Sequence, residues 1–139
     1  MEHTPARKYP APPEKIRVMF VCSSNLNRSP RAEEEFRKLM REHGLEHRFM
    51  VHSSGVNAFK ESGGLQFDPE MAERYHVIFA ADFATKKSLL KDFHQPKGKI
   101  IDLGIPDIYS RDSPKLGEIL NRKLRAWLVA TGHIKPQGK

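Results

Sequence analysis

The residues best suited to chemistry lie close together near the start of the chain. Cys22 and Arg28 are separated by five residues, and Ser29 and Pro30 follow Arg28 directly. A phosphoryl-transfer site that works without a metal needs an ionised nucleophile and a planar cation to clamp the phosphate oxygens. A cysteine thiolate supplies the first, and an arginine guanidinium supplies the second through two parallel hydrogen bonds. The pair therefore predicts phosphoryl transfer through a cysteine.

Residues 22–28, which we call the phosphate loop, have the composition of an anion-binding turn. Those inside the loop are polar except Leu26, and such a loop can point consecutive backbone N–H groups at one anion. Asn25 tolerates the left-handed backbone conformation that the curl demands. Ser29 can donate its hydroxyl to the thiolate, cap the helix that follows, or do both. The residues expected to bind phosphate are Ser23, Ser24, Asn25, Leu26, Asn27 and Ser29.

The elements on either side are suited to position this loop. Residues 16–22 are mostly apolar and partly β-branched, which predicts a buried strand. Pro30 suits the first position of a helix, because a missing N–H costs nothing there, and Gly44 is placed to end that helix. A helix that begins beside Cys22 favours the thiolate through its dipole. This context makes the C-x5-R-S-P motif far more specific than the Cys–Arg spacing alone.

The rest of the chain alternates strands and helices. Strands are predicted over 47–54, 76–81 and 99–103, and helices over 69–75, over 83–93 and from about 113 to 132. The alternation predicts an α/β fold of three layers, in which helices cover both faces of a four-stranded parallel sheet. Ligands bind at the carboxyl ends of the strands in such sheets. Cys22 and the loop after the fourth strand are therefore expected to meet at one edge.

Length and composition fit one compact domain with an uneven charge. The 139 residues carry a net charge of +7. Residues 121–139 contain five basic residues and no acidic one, so this segment either attracts anionic substrates or forms a solvated helix face and tail. The single cysteine excludes a disulfide within the chain and any site built from several cysteines.

Several classes of partner are not expected. The seven histidines lack metal-ligand spacing, so we predict neither a metal nor another cofactor. Basic and aromatic residues do not interleave in the manner of a nucleic-acid site. The sequence contains no apolar run of the roughly 20 residues that a membrane span needs, and its start lacks the apolar stretch of a signal peptide. We therefore expect a cytoplasmic protein without a membrane partner.

From residue 17 to about 128 the chain resembles the low-molecular-weight protein tyrosine phosphatase family. Residues 18–30 (VMFVCSSNLNRSP) are similar to its first strand and phosphate loop, 51–59 (VHSSGVNAF) to its second strand and following loop, and 76–82 (HVIFAAD) to its third strand. Residues 105–109 (IPDIY) resemble the late loop that holds the general acid. The resemblance implies a metal-free phosphatase that forms a cysteinyl-phosphate.

The resemblance also implies roles for individual residues. Cys22 would be the nucleophile, Arg28 the phosphate clamp and Asp107 the general acid. Asp102 and Asp112 are rivals for the last role, although Asp112 precedes Ser113-Pro114 as a helix cap would. The remaining assignments are Ser53 as the support of Asn25, and Leu26, Phe59 and Tyr109 as the lining of a slot for a flat ring.

The chain departs from the family pattern in three places. Asn27 replaces the second cysteine of the loop, the stretch between Gly55 and His76 is short, and Asp107-Ile108 stands where Asp-Pro is usual. A shortened bacterial branch with an Ile-Pro-Asp loop is more similar. An arsenate reductase on this scaffold would need further cysteines and is excluded.

These observations predict a cysteine-dependent phosphatase for phosphotyrosine in proteins or for small aryl phosphates. Leu26 resembles the tyrosine-specific members, whereas arginine phosphatases carry threonine there. The alternatives are a phosphoserine phosphatase, because CSSN-x-NRS is similar to the RNA polymerase II C-terminal-domain phosphatases, and a non-catalytic anion-binding module. The expected organisation is a flexible segment over 1–15, a phosphatase domain over 16–132 and a basic tail over 133–139.

Overall fold

The computed structural model describes residues 15–136. The predicted N-terminal segment, apart from Lys15, and residues 137–139 of the predicted basic tail lie outside the described residues. The strands are β1 (Ile16–Cys22), β2 (Phe49–Gly55), β3 (Val77–Ala80) and β4 (Ile100–Asp102). The helices are α1 (Arg28–His43), α2 (Ala58–Glu61), α3 (Pro69–Ala72), α4 (Phe83–Lys91) and α5 (Pro114–Ala130), with a 3-10 turn at Lys97–Lys99 before β4.

The strands form one sheet in the order β2-β1-β3-β4, and every neighbouring pair is parallel. Successive side chains of a strand point to opposite faces. Accordingly, Val18 and Phe20 of β1 pack in one cluster with residues of α1 and α5. Met19 and Val21 pack in a second cluster with residues of α3 and α4. The predicted four-stranded parallel sheet is confirmed, and its two faces are covered by different helices.

The first helix begins earlier than predicted. It starts at Arg28, so Pro30 occupies its third position rather than its first, where the backbone N–H would still lack a partner within the helix. Asn27 precedes the helix without capping it through its side chain. Ser29 therefore lies inside the helix, and of its two possible roles the helix cap is wrong, whereas its hydroxyl does lie 3.0 Å from Cys22 Sγ. Gly44 ends the helix in the left-handed conformation at φ 67°, as predicted.

The last helix, α5, packs with α1 against the same face of the sheet. Ser113 caps it by accepting a hydrogen bond from the backbone N–H of Leu116, which corrects the prediction of a cap at Asp112. Leucines at intervals of four residues then form its buried stripe against α1 and the sheet. They are Leu116, Leu120, Leu124 and Leu128. Among residues 15–136, no helix combines the length and the apolar character that crossing a membrane requires.

Candidate active site

The phosphate loop connects the end of β1 to the start of α1. Cys22 is the last residue of β1 and is buried, with 2% of its surface exposed. Its Sγ lies 3.0 Å from the Ser29 hydroxyl and receives the backbone N–H of Asn25 at 3.2 Å. The sulfur thus accepts a backbone N–H and contacts a hydroxyl at the N-terminus of a helix, an environment that favours negative charge.

The Ser29 hydroxyl has one proton to donate and lies within hydrogen-bond distance of two acceptors. It can donate to the backbone carbonyl of Ser54 at 3.1 Å or to Sγ of Cys22, but not to both at once. The side-chain N–H of Asn25 donates to the same hydroxyl at 3.0 Å. A rotation of the Ser29 hydroxyl therefore accommodates either the thiol or the thiolate of Cys22.

Asn25 sets the curvature of the loop. Its φ is 57°, the left-handed conformation that the sequence predicted. Its amide donates to Ser29 and, at 3.1 Å, to the hydroxyl of Ser53, while its oxygen accepts the backbone N–H of Leu65 at 3.0 Å. The Ser53 contact agrees with the role that the family resemblance implied.

The segment after β2 supports the outer side of the loop. The backbone N–H groups of Val56 and Asn57 donate to the carbonyls of Cys22 and Ser23 at 3.0 and 2.8 Å. A Cβ on Gly55 would lie 2.6 Å from the backbone N of Asn25 and from the carbonyl oxygen of Ser23. Such contacts are too short to accommodate, so residue 55 has to be glycine for the loop to pack here.

Arg28 is almost fully buried and is fixed by two acceptors. One terminal nitrogen, Nη1, donates to a carboxylate oxygen of Asp82 at 2.7 Å and to the carbonyl of Ile105 at 2.8 Å. Asp82 also caps α4 by accepting the N–H of Thr85. Burial raises the pKa of Asp82, but hydrogen bonds from Arg28 and from Thr85 outweigh it and hold that pKa below its usual range. Asp82 is therefore a charged partner that holds the guanidinium of Arg28 in place.

We call residues 105–113, which lead from β4 to α5, the acid loop. Asp107 lies within it, largely exposed, with Oδ1 3.6 Å from Nε of Arg28. Its two rivals form local contacts instead. Asp102 accepts the backbone N–H of Gly104, and Asp112 accepts the hydroxyl of Ser110. Of the three carboxylates, Asp107 is the one that the structure brings to Arg28.

The three residues predicted to line a slot differ in exposure. Leu26 and Phe59 are 55% and 78% exposed, whereas Tyr109 is half-buried against the core cluster of α1 and α5. Phe59 borders an open cavity of about 360 Å³, which is bordered neither by Tyr109 nor by residues 22–28. The structure therefore does not bring Phe59 and Tyr109 into that cavity as opposite walls.

An apolar rim accompanies the carboxyl end of the sheet. Among residues 15–136, six of the seven large apolar side chains that are exposed lie in segments that follow a strand, and Met50 lies in β2. One of the six, Met71, belongs to α3, shortly before β3, and we call the other five the apolar rim: Leu26, Phe59, Leu65, Phe83 and Ile108. Exposed apolar side chains in the segments after parallel strands can contribute to a binding surface at that edge of the sheet.

Sequence reasoning missed two features of this site. Asp82 follows the third strand and precedes a helix, as a cap would, but no sequence pattern links it to Arg28. Gly55 follows a predicted strand, and its close approach to the loop becomes visible only in three dimensions.

Within residues 15–136, His, Cys, Asp and Glu side chains form no group of three that could hold a metal ion.

Comparisons with known proteins identify a matching family model and similar structures. The family model described as low molecular weight phosphotyrosine protein phosphatase matches residues 17–105, which ends two positions before Asp107. The search of curated proteins found no significant match.

Three similar solved structures illustrate the fold. A low molecular weight protein tyrosine phosphatase from T. tengcongensis is 22% identical, with a TM-score of 0.69 over 84% of this chain and 99% of its own. A protein tyrosine phosphatase from Entamoeba histolytica is 20% identical, with a TM-score of 0.71 over 89% and 100%. The YwlE protein of Bacillus subtilis, described as an arginine phosphatase, is 21% identical, with a TM-score of 0.62 over 82% and 99%.

Proposed function

The chain belongs to the low molecular weight phosphotyrosine protein phosphatase family, and we propose that it hydrolyses phosphotyrosine with Cys22 as the nucleophile. Membership makes it a cysteine-dependent phosphatase that acts on phosphomonoesters. The surroundings of Cys22 Sγ carry the proposal, because the backbone N–H of Asn25 donates to the sulfur and the Ser29 hydroxyl lies 3.0 Å from it at the start of α1. The expected cytoplasmic location and a phosphorylated protein as substrate are parts of the same proposal.

The proposed reaction has two steps. The Cys22 thiolate attacks phosphorus, so that the S–P bond forms while the P–O bond to the tyrosine ring breaks. Asp107 gives its proton to the departing phenolate oxygen. Water then attacks the cysteinyl-phosphate, Asp107 takes a proton from that water, and the S–P bond breaks to release inorganic phosphate and the thiolate.

Arg28 and the loop amides would stabilise the charge on the phosphate oxygens in both steps. Nη1 of Arg28 uses both of its hydrogens on Asp82 and Ile105. We therefore assign the phosphate to Nε and Nη2, which form the bidentate edge of the guanidinium. The backbone N–H groups of residues 23–28 would supply the other donors.

Phosphotyrosine is the proposed substrate because the surroundings of the loop are apolar. Leu26 is exposed within the loop itself, and the other members of the apolar rim are exposed in the segments that follow the strands. A flat ring gains apolar burial and stacking on such a surface. An arginine phosphatase is the second candidate, because YwlE has the same fold, although Leu26 favours the tyrosine-specific type.

A panel of one peptide phosphorylated on tyrosine, serine or arginine tests the proposed substrate. We expect the highest kcat/KM for phosphotyrosine, and Phe59→Ala or Tyr109→Ala should lower it about fivefold, the equivalent of about 1 kcal/mol of ring contact. Met50→Ala removes an exposed apolar side chain from β2, outside the apolar rim, and serves as the matched control. Faster turnover of phosphoserine or phosphoarginine would overturn the substrate assignment. Wild-type kinetics in both aromatic variants would refute the proposal that Phe59 and Tyr109 line a slot for the ring.

Asp107→Asn tests the general acid. For aryl phosphates with poor leaving groups, such as phenyl phosphate, kcat/KM should fall on the order of 100-fold, whereas activated dinitrophenyl esters should change little, because protonation matters only when the leaving oxygen is basic. Asp102→Asn and Asp112→Asn are matched controls that should retain the wild-type dependence on the leaving group. If either control shows the change instead, the acid is misassigned.

A further inference from the structure

The acid loop is held at both of its ends. At the near end, Ile105 donates its N–H to the carbonyl of Ala81 at 2.7 Å and accepts from Arg28 at 2.8 Å. At the far end, the backbone N–H of Arg111 donates to Oδ1 of Asn27 at 3.0 Å. Asp107 lies between these two anchors. Its position relative to the phosphate loop therefore depends on contacts at both ends of the acid loop.

The far anchor comes from the phosphate loop itself. Asn27 lies between Leu26 and Arg28 in that loop, and 84 positions separate it from Arg111. The family resemblance would place a cysteine at this position, and a thiol sulfur is a weak acceptor compared with an amide oxygen. We infer that Asn27 is a positioning residue, which couples the phosphate loop to the acid loop and thereby places Asp107 over the leaving oxygen.

Neighbouring contacts do not replace this hydrogen bond. The ion pair between Arg111 and Glu34 joins side chains that are 53% and 50% exposed, and such pairs contribute little. Arg31, the fourth residue of α1, donates to the carbonyls of Arg111 and Ser113, so it holds the acid loop to the helix. Asn27 instead joins the acid loop to the residues that carry phosphate. The inference rests on the proposed function, because it assigns Asn27 a role in the use of Asp107.

The test compares Asn27→Ala with Asn27→Asp across aryl phosphates of graded leaving-group basicity. The readout is the ratio of kcat/KM for dinitrophenyl phosphate to that for phenyl phosphate. Asn27→Ala should raise the ratio about tenfold, since losing one hydrogen bond of about 1.4 kcal/mol is a factor of ten. Asn27→Asp keeps an acceptor oxygen, so its ratio should stay at the wild-type value even where its charge slows every substrate. Glu34→Gln is the matched control and should also keep that value.

Two further measurements separate the outcomes. Inhibition by inorganic phosphate should persist in Asn27→Ala, because the substitution keeps the backbone N–H of residue 27, and this result would show that the phosphate loop still forms. Arg111→Pro removes the donor N–H while Asn27 stays in place, and it should raise the ratio as Asn27→Ala does. A uniform loss for all substrates, or an unchanged ratio in both variants, would overturn the inference. If Asp107→Asn raises the ratio and these variants do not, the inference alone fails, whereas an inactive wild type removes the proposed function as well.

Discussion

Substitution of Cys22 by serine should abolish phosphatase activity, with kcat falling on the order of 10⁴-fold or more, because a covalent mechanism loses its nucleophile. A serine hydroxyl at this position, beside the N–H of Asn25 and the hydroxyl of Ser29, is protonated at neutral pH and is a much weaker nucleophile than a thiolate. Hydrolysis of p-nitrophenyl phosphate measures the loss. We expect wild-type activity to be the same with and without a chelator, because the proposed mechanism uses no metal.

A binding measurement shows whether the loop of this variant is still formed. Cys22→Ser should retain stabilisation against thermal unfolding by inorganic phosphate, since Arg28 and the loop amides are untouched. Turnover within tenfold of the wild type would refute Cys22 as the nucleophile. Loss of both turnover and phosphate binding would instead show that Cys22 maintains the fold of the loop.

Arg28→Lys should lower kcat on the order of 100-fold to 1000-fold, the range found when one preorganised donor to a developing charge is removed. Lysine keeps the charge, but its ammonium cannot bind two phosphate oxygens while also reaching Asp82 and Ile105. Because these acceptors surround a buried side chain, we also expect the free energy of unfolding to fall by about 1–3 kcal/mol. Steady-state kinetics and urea titration measure the two effects.

Arg37→Lys is the matched control for this substitution. Arg37 lies on the same helix but contacts Glu33 and the carbonyl of Val51, away from the phosphate loop. Its replacement should leave kcat unchanged and lower stability only slightly. Equal activity losses in the two variants would show that replacing an arginine of α1 by lysine lowers activity regardless of its distance from the phosphate loop, and would refute the argument for a bidentate clamp.

Much of the fold was predictable because it depends on local patterns. The apolar run before Cys22 and the leucine stripe of α5 each follow the period of one element, and the structure has both. The helix start was misplaced because Ser29 and Pro30 resemble a cap followed by a first helical position. The Ser29 hydroxyl instead contacts Cys22 and Ser54. These contacts within the site take the place of the helix cap that the local sequence pattern indicated. Helix α2 was not predicted, because its four residues are too few to show the hydrophobic period of a helix.

The site was predictable where its residues are adjacent in sequence and not where they meet across the fold. The order from Cys22 to Ser29 indicated the loop, and the resemblance supplied Asp107. The partnership of Arg28 with Asp82 joins residues 54 positions apart, and that of Asn27 with Arg111 joins residues 84 positions apart. Each depends on side-chain directions that only the assembled sheet determines.

The way Gly55, Asn25 and their neighbours hold the phosphate loop has a thermodynamic consequence. The contacts on its outer side come from β2 and the segment after it, so hydrogen bonds within the protein hold the curve of the loop. A ligand that enters a preorganised loop loses its own freedom but does not have to order the chain, which otherwise costs roughly 1–2 kcal/mol per residue. Small oxyanions with few atoms of their own should therefore bind with unusually high affinity for their size, and their binding should be accompanied by little change in the chain's conformational entropy.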